Sequence, residues 1–466
     1  MSEKLKPANL DAELQRLEAK ALFPASTPDE LLARLESIYQ DLANLDFTNY
    51  DMSDIAATAP MLLQRMFQVR MQLREQLRTW RSQALLTSDV QQALRNLFRA
   101  MRYGTDMLGE TAIGFNRMGD NSRTLRAFTG RNNNTLINPR FNEKRDLPFR
   151  SGDLLLVRGR HHNSAAVARI GDVDSQYSHL GIIYVDPKGY HWLVEVLIEE
   201  GGVVKPLGEA ISHNLSRAIV FRHPDAALAQ RAAFIAHEHI KLSETRYGKP
   251  VLYDFTMQPE GYKRLFCSKL IRLAFEKASE GAVVLPSFPT RLSMRNRDFF
   301  DRIGVTASET FAPGDIELEP DFDVVAEWSD YRITPSARHQ DIVMDKLFQW
   351  MDDYDLRFKE TFLINAIARG GRVAASLSNT IKSMIADVIP IVPPHMRRQT
   401  IATIVMLHRT ADPIMHDLER IERERIDLFG YPLHPREAAE YLERWREKSD
   451  GEIGYLVPAM KLPAIG

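Results

Sequence analysis

The hydrophobic pattern of this chain changes period twice, and that double change constrains its fold more than any single motif. Up to about residue 110, apolar residues recur at helical spacing. Leu10, Leu14, Leu17 and Leu22 form one stripe; Leu31, Leu32, Leu35, Ile38, Tyr39 and Leu42 form a second; Leu62, Met66, Val69, Leu73 and Leu77 form a third. A fourth stripe, Val90, Leu94, Leu97, Phe98 and Met101, follows Ser88-Asp89, a pair able to cap its start. Each stripe is most simply core for the others, so a helical hairpin or bundle is expected, with a coiled-coil partner surface as the alternative. From Ser151 the apolar runs shorten to strand length, at 153–157, 180–185, 192–196, 203–204 and 218–221. Asp186-Pro187-Lys188-Gly189 turns the second run into the third as an antiparallel hairpin. Helix returns at 226–242 and again at Cys267; 315–319 and 323–328 read as acidic strands; beyond Asp341 the pattern is helical once more. Strands that lack regular βαβ alternation, set between helical blocks, make the class α+β. The expected division is a helical region at 1–145 ending in a basic, Asn-rich linker, a central domain at 146–330, and a helical region at 331–466.

Composition narrows the function classes. With 44% apolar and 26% charged residues the chain is an ordinary globular one, long enough at 466 residues for several cores. A net charge of −2 gives no global attraction to nucleic acid. The single cysteine excludes a disulfide framework and a cysteine-built zinc cage. Residues 1–24 lack the apolar core of a signal peptide, so a cytoplasmic location is expected, with export by a signal-independent route left open. The most apolar stretch, 384–394, is too short and too interrupted by proline to span a bilayer; it reads as a buried helix end or a membrane-interface contact.

The one cysteine stands at the first turn of an amphipathic helix whose apolar face is Leu270, Ile271, Ala274 and Phe275. Unpaired backbone N–H groups and the positive end of the helix dipole both favour a thiolate there. The plain alternative is a small hydrophobe at a helix–sheet contact. A nucleophilic thiol needs a base, and the base needs a group to fix its tautomer. His179 opens the second strand, and Glu195 interrupts the apolar run of the third. A carboxylate in such a run is costly without a partner, and an antiparallel hairpin lets Glu195 face His179. A structural histidine and a water-facing edge glutamate are the competing readings.

Five segments then carry a resemblance. Gly152-Asp153-Leu154-Leu155-Leu156, Ser178-His179-Leu180-Gly181-Ile182-Ile183, Val194-Glu195-Val196, Tyr253-Asp254-Phe255 and Phe266-Cys267-Ser268-Lys269-Leu270 occur in that order. They resemble the permuted papain-like hydrolases, the YiiX/YebB-like branch of the NlpC/P60 superfamily, in which permutation puts the histidine strand before the nucleophile helix. The resemblance implies a small antiparallel sheet in the central domain, with Cys267 as nucleophile, His179 as base and Glu195 as orienting residue, and no metal or organic cofactor. It departs at Lys269, where the family usually has an acid, and in the extra apolar pair Val251-Leu252. His191 has the spacing of a second histidine used by lecithin:retinol acyltransferase-like relatives, but it borders a turn, and Glu195 is preferred. A thiol hydrolase or acyltransferase is therefore expected. Tyr253, Phe255, Met257 and Phe288 could line an apolar groove, which leans the substrate toward an acyl lipid. The alternatives are a peptidoglycan-peptide amidase and a non-catalytic protein whose helical regions bind a partner. Elsewhere, His237-Glu238-His239 lacks the histidine spacing of a zinc protease, and His161-His162 is a weak metal candidate in a polar loop.

Overall fold

The computed structural model describes residues 9–115, 128, 134–141, 147–172, 174–212, 215–359, 388, 392 and 395–461. The four N-terminal stripes become α1 (Leu10–Leu22), α2 (Pro28–Ala43), α3 (Met52–Ser82) and α4 (Ser88–Gly114). Asn9, Thr27, Asp51 and Thr87 cap them, each side chain accepting a first-turn N–H. The cap of α4 is thus Thr87, one residue ahead of the Ser88-Asp89 pair the sequence suggested.

Next come β1 (Thr135–Ile137), β2 (Leu154–Gly159), α5 (His162–Ala168), β3 (His179–Val185), β4 (His191–Leu197), β5 (Gly201–Pro206), α6 (Leu207–Ala210), β6 (Leu215–Arg222) and α7 (Ala226–Tyr247). A two-residue parallel pair, β7 (Leu252–Tyr253) and β8 (Arg264–Leu265), leads into α8 (Cys267–Ala278). Beyond it lie β9 (Thr290–Arg291), α9 (Asp298–Ile303), β10 (Glu309–Thr310), β11 (Asp323–Ser329) and α10 (Thr334–Asp353). The C-terminal part adds β12 (Leu356–Phe358), α11 (Arg398–Phe429), α12 (Pro435–Glu447) and β13 (Leu456–Pro458).

Among the described residues the main sheet has seven strands in the order β1-β11-β6-β2-β3-β4-β5, antiparallel throughout. It is wider than the small sheet expected, because β1 and β11 extend one edge from either side of the strand-rich stretch. Side chains alternate between its faces. Leu154, Leu156, Ile182, Val194 and Phe221 join the main core under α7 and α8, while Leu155, Val157, Ile183, Leu193 and Trp328 build a second cluster.

The flanking helices reach the sheet through buried ion pairs as well as apolar contacts. Arg70 of α3 meets Glu327 of β11, and Arg217 of β6 meets Asp106 of α4. Arg338 of α10 donates to Glu110 of α4 at 2.7 Å and to Glu422 of α11 at 3.0 Å. Charges this deep are tolerable only because each is paired, and loss of one partner costs about 3–5 kcal/mol.

The acidic run expected as a strand at 315–319 is instead largely a 3₁₀ turn, Pro313–Leu318. Its acids explain the difference. The Asp315 carboxylate accepts N–H groups from Ala312 at 2.9 Å and Thr290 at 3.1 Å, offering the backbone partners other than a neighbouring strand. Arg95 of α4 then pairs with the same carboxylate at 2.9 Å. Most of the basic linker and of 384–394 lies outside the described residues. Among the described residues no helix is long and apolar enough to cross a membrane.

Candidate functional site

The first turn of α8 is pinned on both sides of its cysteine. Phe266, at the N-cap, supplies no capping side chain, so the initial N–H groups are left for other partners. Ser268 Oγ donates to the Phe311 carbonyl at 2.7 Å, and Lys269 Nζ donates to Asp254 Oδ2 at 2.8 Å. Lys269 and Asp254 are both buried. The lysine that departs from the family pattern is therefore half of an internal ion pair that ties α8 to the β7–β8 loop. Cys267 itself is only 4% exposed.

His179 is the first residue of β3, a strand packed on α8. The β3–β4 register pairs Ile182 with Val194. Continued by one residue, it sets Glu195 opposite Gly181, on the same face as His179 and within diagonal reach of it. Gly181 is needed for this close strand contact: a Cβ there would stand 2.8 Å from the Leu193 side chain. The outcome is a hydrogen bond of 2.7 Å between His179 Nε2 and Glu195 Oε2. Both side chains are largely buried, 18% and 8% exposed.

Electrostatics follow from these neighbours. Burial is the largest influence on His179 and favours the neutral ring. Hydrogen bonds with Cys267 and Glu195, and the negative charge of both, overcome it and push the histidine up to about 10. For Cys267, burial pushes the thiol up, but the His179 hydrogen bond, the His179 charge and the Leu180 N–H together pull it below the ordinary thiol value. With Nε2 held by Glu195, Nδ1 is the ring nitrogen left for sulfur. Such a pair favours thiolate and imidazolium over thiol and imidazole.

The other expected residues fall elsewhere. His191 is exposed and stands in register with Val185, at the opposite end of the strand pair from His179, with its ring edge-on to Phe149 at 6.4 Å. Tyr253 and Met257 are buried in the main core, and Phe255 and Phe288 pack against it, so these four do not form a free apolar groove. Tyr253 is near enough to Cys267 that burial and the sulfur charge push its hydroxyl well above the usual range. His237 lies on α7 beside Glu238, 3.0 Å away, as a partly buried pair. Sequence reasoning missed the Leu180 N–H as a donor to sulfur; a backbone group leaves no residue-type signal. It also missed the Asp254–Lys269 pair, whose signal was a lysine directly beside the apolar face of α8.

Comparison with known proteins finds similarity over the central part of the chain. Residues 148–312 match the family described as permuted papain-like amidase enzyme, YaeF/YiiX, C92 family. Among solved structures, the metalloprotein yiiX from Escherichia coli O157:H7 is similar at 19% identity, covering 39% of this chain and 98% of that one, with a TM-score of 0.31. No curated protein matches. The matched segment contains β2 through α8, and with them Cys267, His179 and Glu195. Residues 148–312 are thus similar to the permuted papain-like amidases of the YaeF/YiiX family.

Proposed function

We propose that the central domain is a cysteine amidase in which Cys267 is the nucleophile, His179 the proton carrier and Glu195 the residue that orients the ring. One observation carries the reading: the largely buried His179 ring is hydrogen-bonded at Nε2 to Glu195, 2.7 Å away, and the same ring draws the Cys267 thiol below its ordinary value. The thiolate adds to an amide carbonyl, and the oxyanion is met by N–H groups at the start of α8, including that of Cys267. The imidazolium gives its proton to the leaving nitrogen as the C–N bond breaks, leaving a thioester on Cys267. Water then attacks the thioester, His179 takes its proton, and the acid leaves with the thiolate restored. The described family is one of amidases, which favours a peptide-like amide over the acyl lipid toward which the sequence leaned. The core packing of Tyr253 and Met257 removes the main argument for a lipid groove. The helical regions at 1–145 and 331–466 are proposed as separate parts flanking the catalytic domain at 146–330.

The test presents purified protein with peptidoglycan peptides, simple peptide amides and phospholipid vesicles, beside Cys267→Ala. New amine from the amides, lost by at least about a thousandfold in Cys267→Ala, is expected. Release of fatty acid without amide cleavage would move the reading to lipid. No Cys267-dependent product, with a thiol no more reactive than a free cysteine, would leave a scaffold.

A further inference from the structure

A second group of side chains lies where α5 meets α11, the helix that follows the matched domain. His162 is the first residue of α5, just beyond the end of β2. His408, Asp412 and His416 follow one another at steps of four on α11, so they share one face of that helix. One ligand atom from each of His162, His408 and Asp412 falls within 4.8 Å of the other two. The His162 and His408 rings meet edge-on with centroids 4.7 Å apart.

The arrangement is poor as ordinary packing. His162 is 6% exposed, yet its Nδ1 has no hydrogen-bond partner, and its Nε2 stays 3.9 Å from Asp412 Oδ1, beyond hydrogen-bond range. A buried imidazole normally finds a partner. Among the described residues no hydrogen bond occupies either ring nitrogen of His162, which leaves its lone pair available. His416 steadies the carboxylate's turn, its Nδ1 2.8 Å from the Asp412 carbonyl and 3.7 Å from Asp412 Oδ1.

We propose that His162, His408 and Asp412 form a binding site for a divalent transition-metal ion of the zinc class, joining the papain-like domain to the C-terminal helix α11. Two imidazoles and one carboxylate suit such an ion, with solvent or His416 completing the coordination. Tetrahedral bonds of about 2.0–2.1 Å place ligand atoms roughly 3.3–3.5 Å apart, so modest side-chain rotation closes the present spacing. The sequence had given His161-His162 as a weak metal pair. The structure separates them: His161 is the N-cap of α5, and the partners of His162 come from α11.

The test uses the full chain, stripped with a chelator and titrated with Zn²⁺, alongside Co²⁺ as a spectroscopic probe. Cys267→Ala is run in parallel so that the thiol cannot take the ion. One equivalent of zinc should bind to both proteins and raise the melting temperature of each. Cobalt should give the intense visible bands of a tetrahedral site. Asp412→Asn, at a partly exposed position, and His408→Gln should each weaken zinc binding by about 10–100-fold and remove the cobalt bands. Binding that disappears in Cys267→Ala would assign the ion to the thiol and overturn the proposal. Equal zinc affinity in wild type and Asp412→Asn would also overturn it, as would no binding by wild type.

Discussion

His162 is buried and His179 largely so, both within the segment that matches the family, and burial is the largest single influence on each, favouring the neutral ring. They end at opposite extremes, about 10 for His179 and about 3 for His162. The difference lies in what stands within hydrogen-bond reach. Glu195 is 2.7 Å from His179, and the Cys267 charge acts on the same ring; Asp412 stays 3.9 Å from His162, whose other neighbours are positive. Two close partners, Glu195 and the thiol, thus keep one ring charged, while the other has no acid within hydrogen-bond reach and stays neutral. Burial pulls both rings toward the neutral form; Cys267 and Glu195 reverse it at His179, and the positive neighbours of His162 add to it there.

The largest break in this contrast comes from taking the acid away. Glu195→Gln keeps the shape but not the charge, so His179 should fall toward the neutral side, as His162 has. Turnover should drop by about 10²–10⁴-fold, the usual worth of a positioned acid–base group. The thiol supplies a second readout. A lowered thiol pKa means that thiolate persists below the ordinary value of about 8.5 and is lost only as pH falls through the lowered value. Alkylation of the one cysteine should therefore remain fast toward acid pH in wild type. In His179→Ala, which removes both the bond and the charge, the profile should move to alkaline pH. Superimposable profiles would show that the two groups do not act as a pair.

A smaller effect is expected where the buried acid meets a lysine instead. Lys269→Met leaves Asp254 buried without its cation, which should cost about 3–5 kcal/mol in urea unfolding. Lys269→Met combined with Asp254→Leu should recover most of that loss, because an apolar pair of similar volume leaves no orphan charge. Failure of the double variant to recover would mean that packing, not charge, holds the start of α8.

These contrasts also mark what could be read from the residues alone. Strand and helix periods located β2 to β6 and the helices on either side, because those elements bury one face and so repeat in sequence. The hairpin turn at Asp186-Pro187-Lys188-Gly189 fixed the strand pair that brings Glu195 to His179. The turn at 313–318 was misread as strand because alternating acid and apolar residues look alike whether the acids face water or buried arginines. Arg95 and Arg102, which receive Asp315 and Glu317, lie on α4, far away in sequence. The metal candidate suffered from the same distance. His162 was visible as half of a histidine pair, but its partners His408 and Asp412 stand on a helix that only the tertiary fold brings near. Local pattern reports local pairing, and both sets of contacts lie outside any short window.

His191 offers the smallest effect and the sharpest control on the comparison. It shares a strand with Glu195 and has the sequence spacing of a second catalytic histidine, so on sequence grounds it competes for the third role. In the fold its register partner is Val185, at the end of β3 away from His179, and its side chain is exposed beside Phe149. An exposed ring with one edge-on aromatic neighbour and no buried acid holds little energy. His191→Ala should therefore change stability by no more than about 0.5 kcal/mol and leave turnover unchanged within about twofold. Glu195→Gln, a more conservative change in shape on the same strand, should be far more damaging. The decisive measurement is kcat and thiol alkylation rate for the two variants side by side. If His191→Ala proves the worse in both, the orienting role passes from the buried acid to the surface histidine. The rule drawn from His179 and His162 would then fail at the site where it matters most.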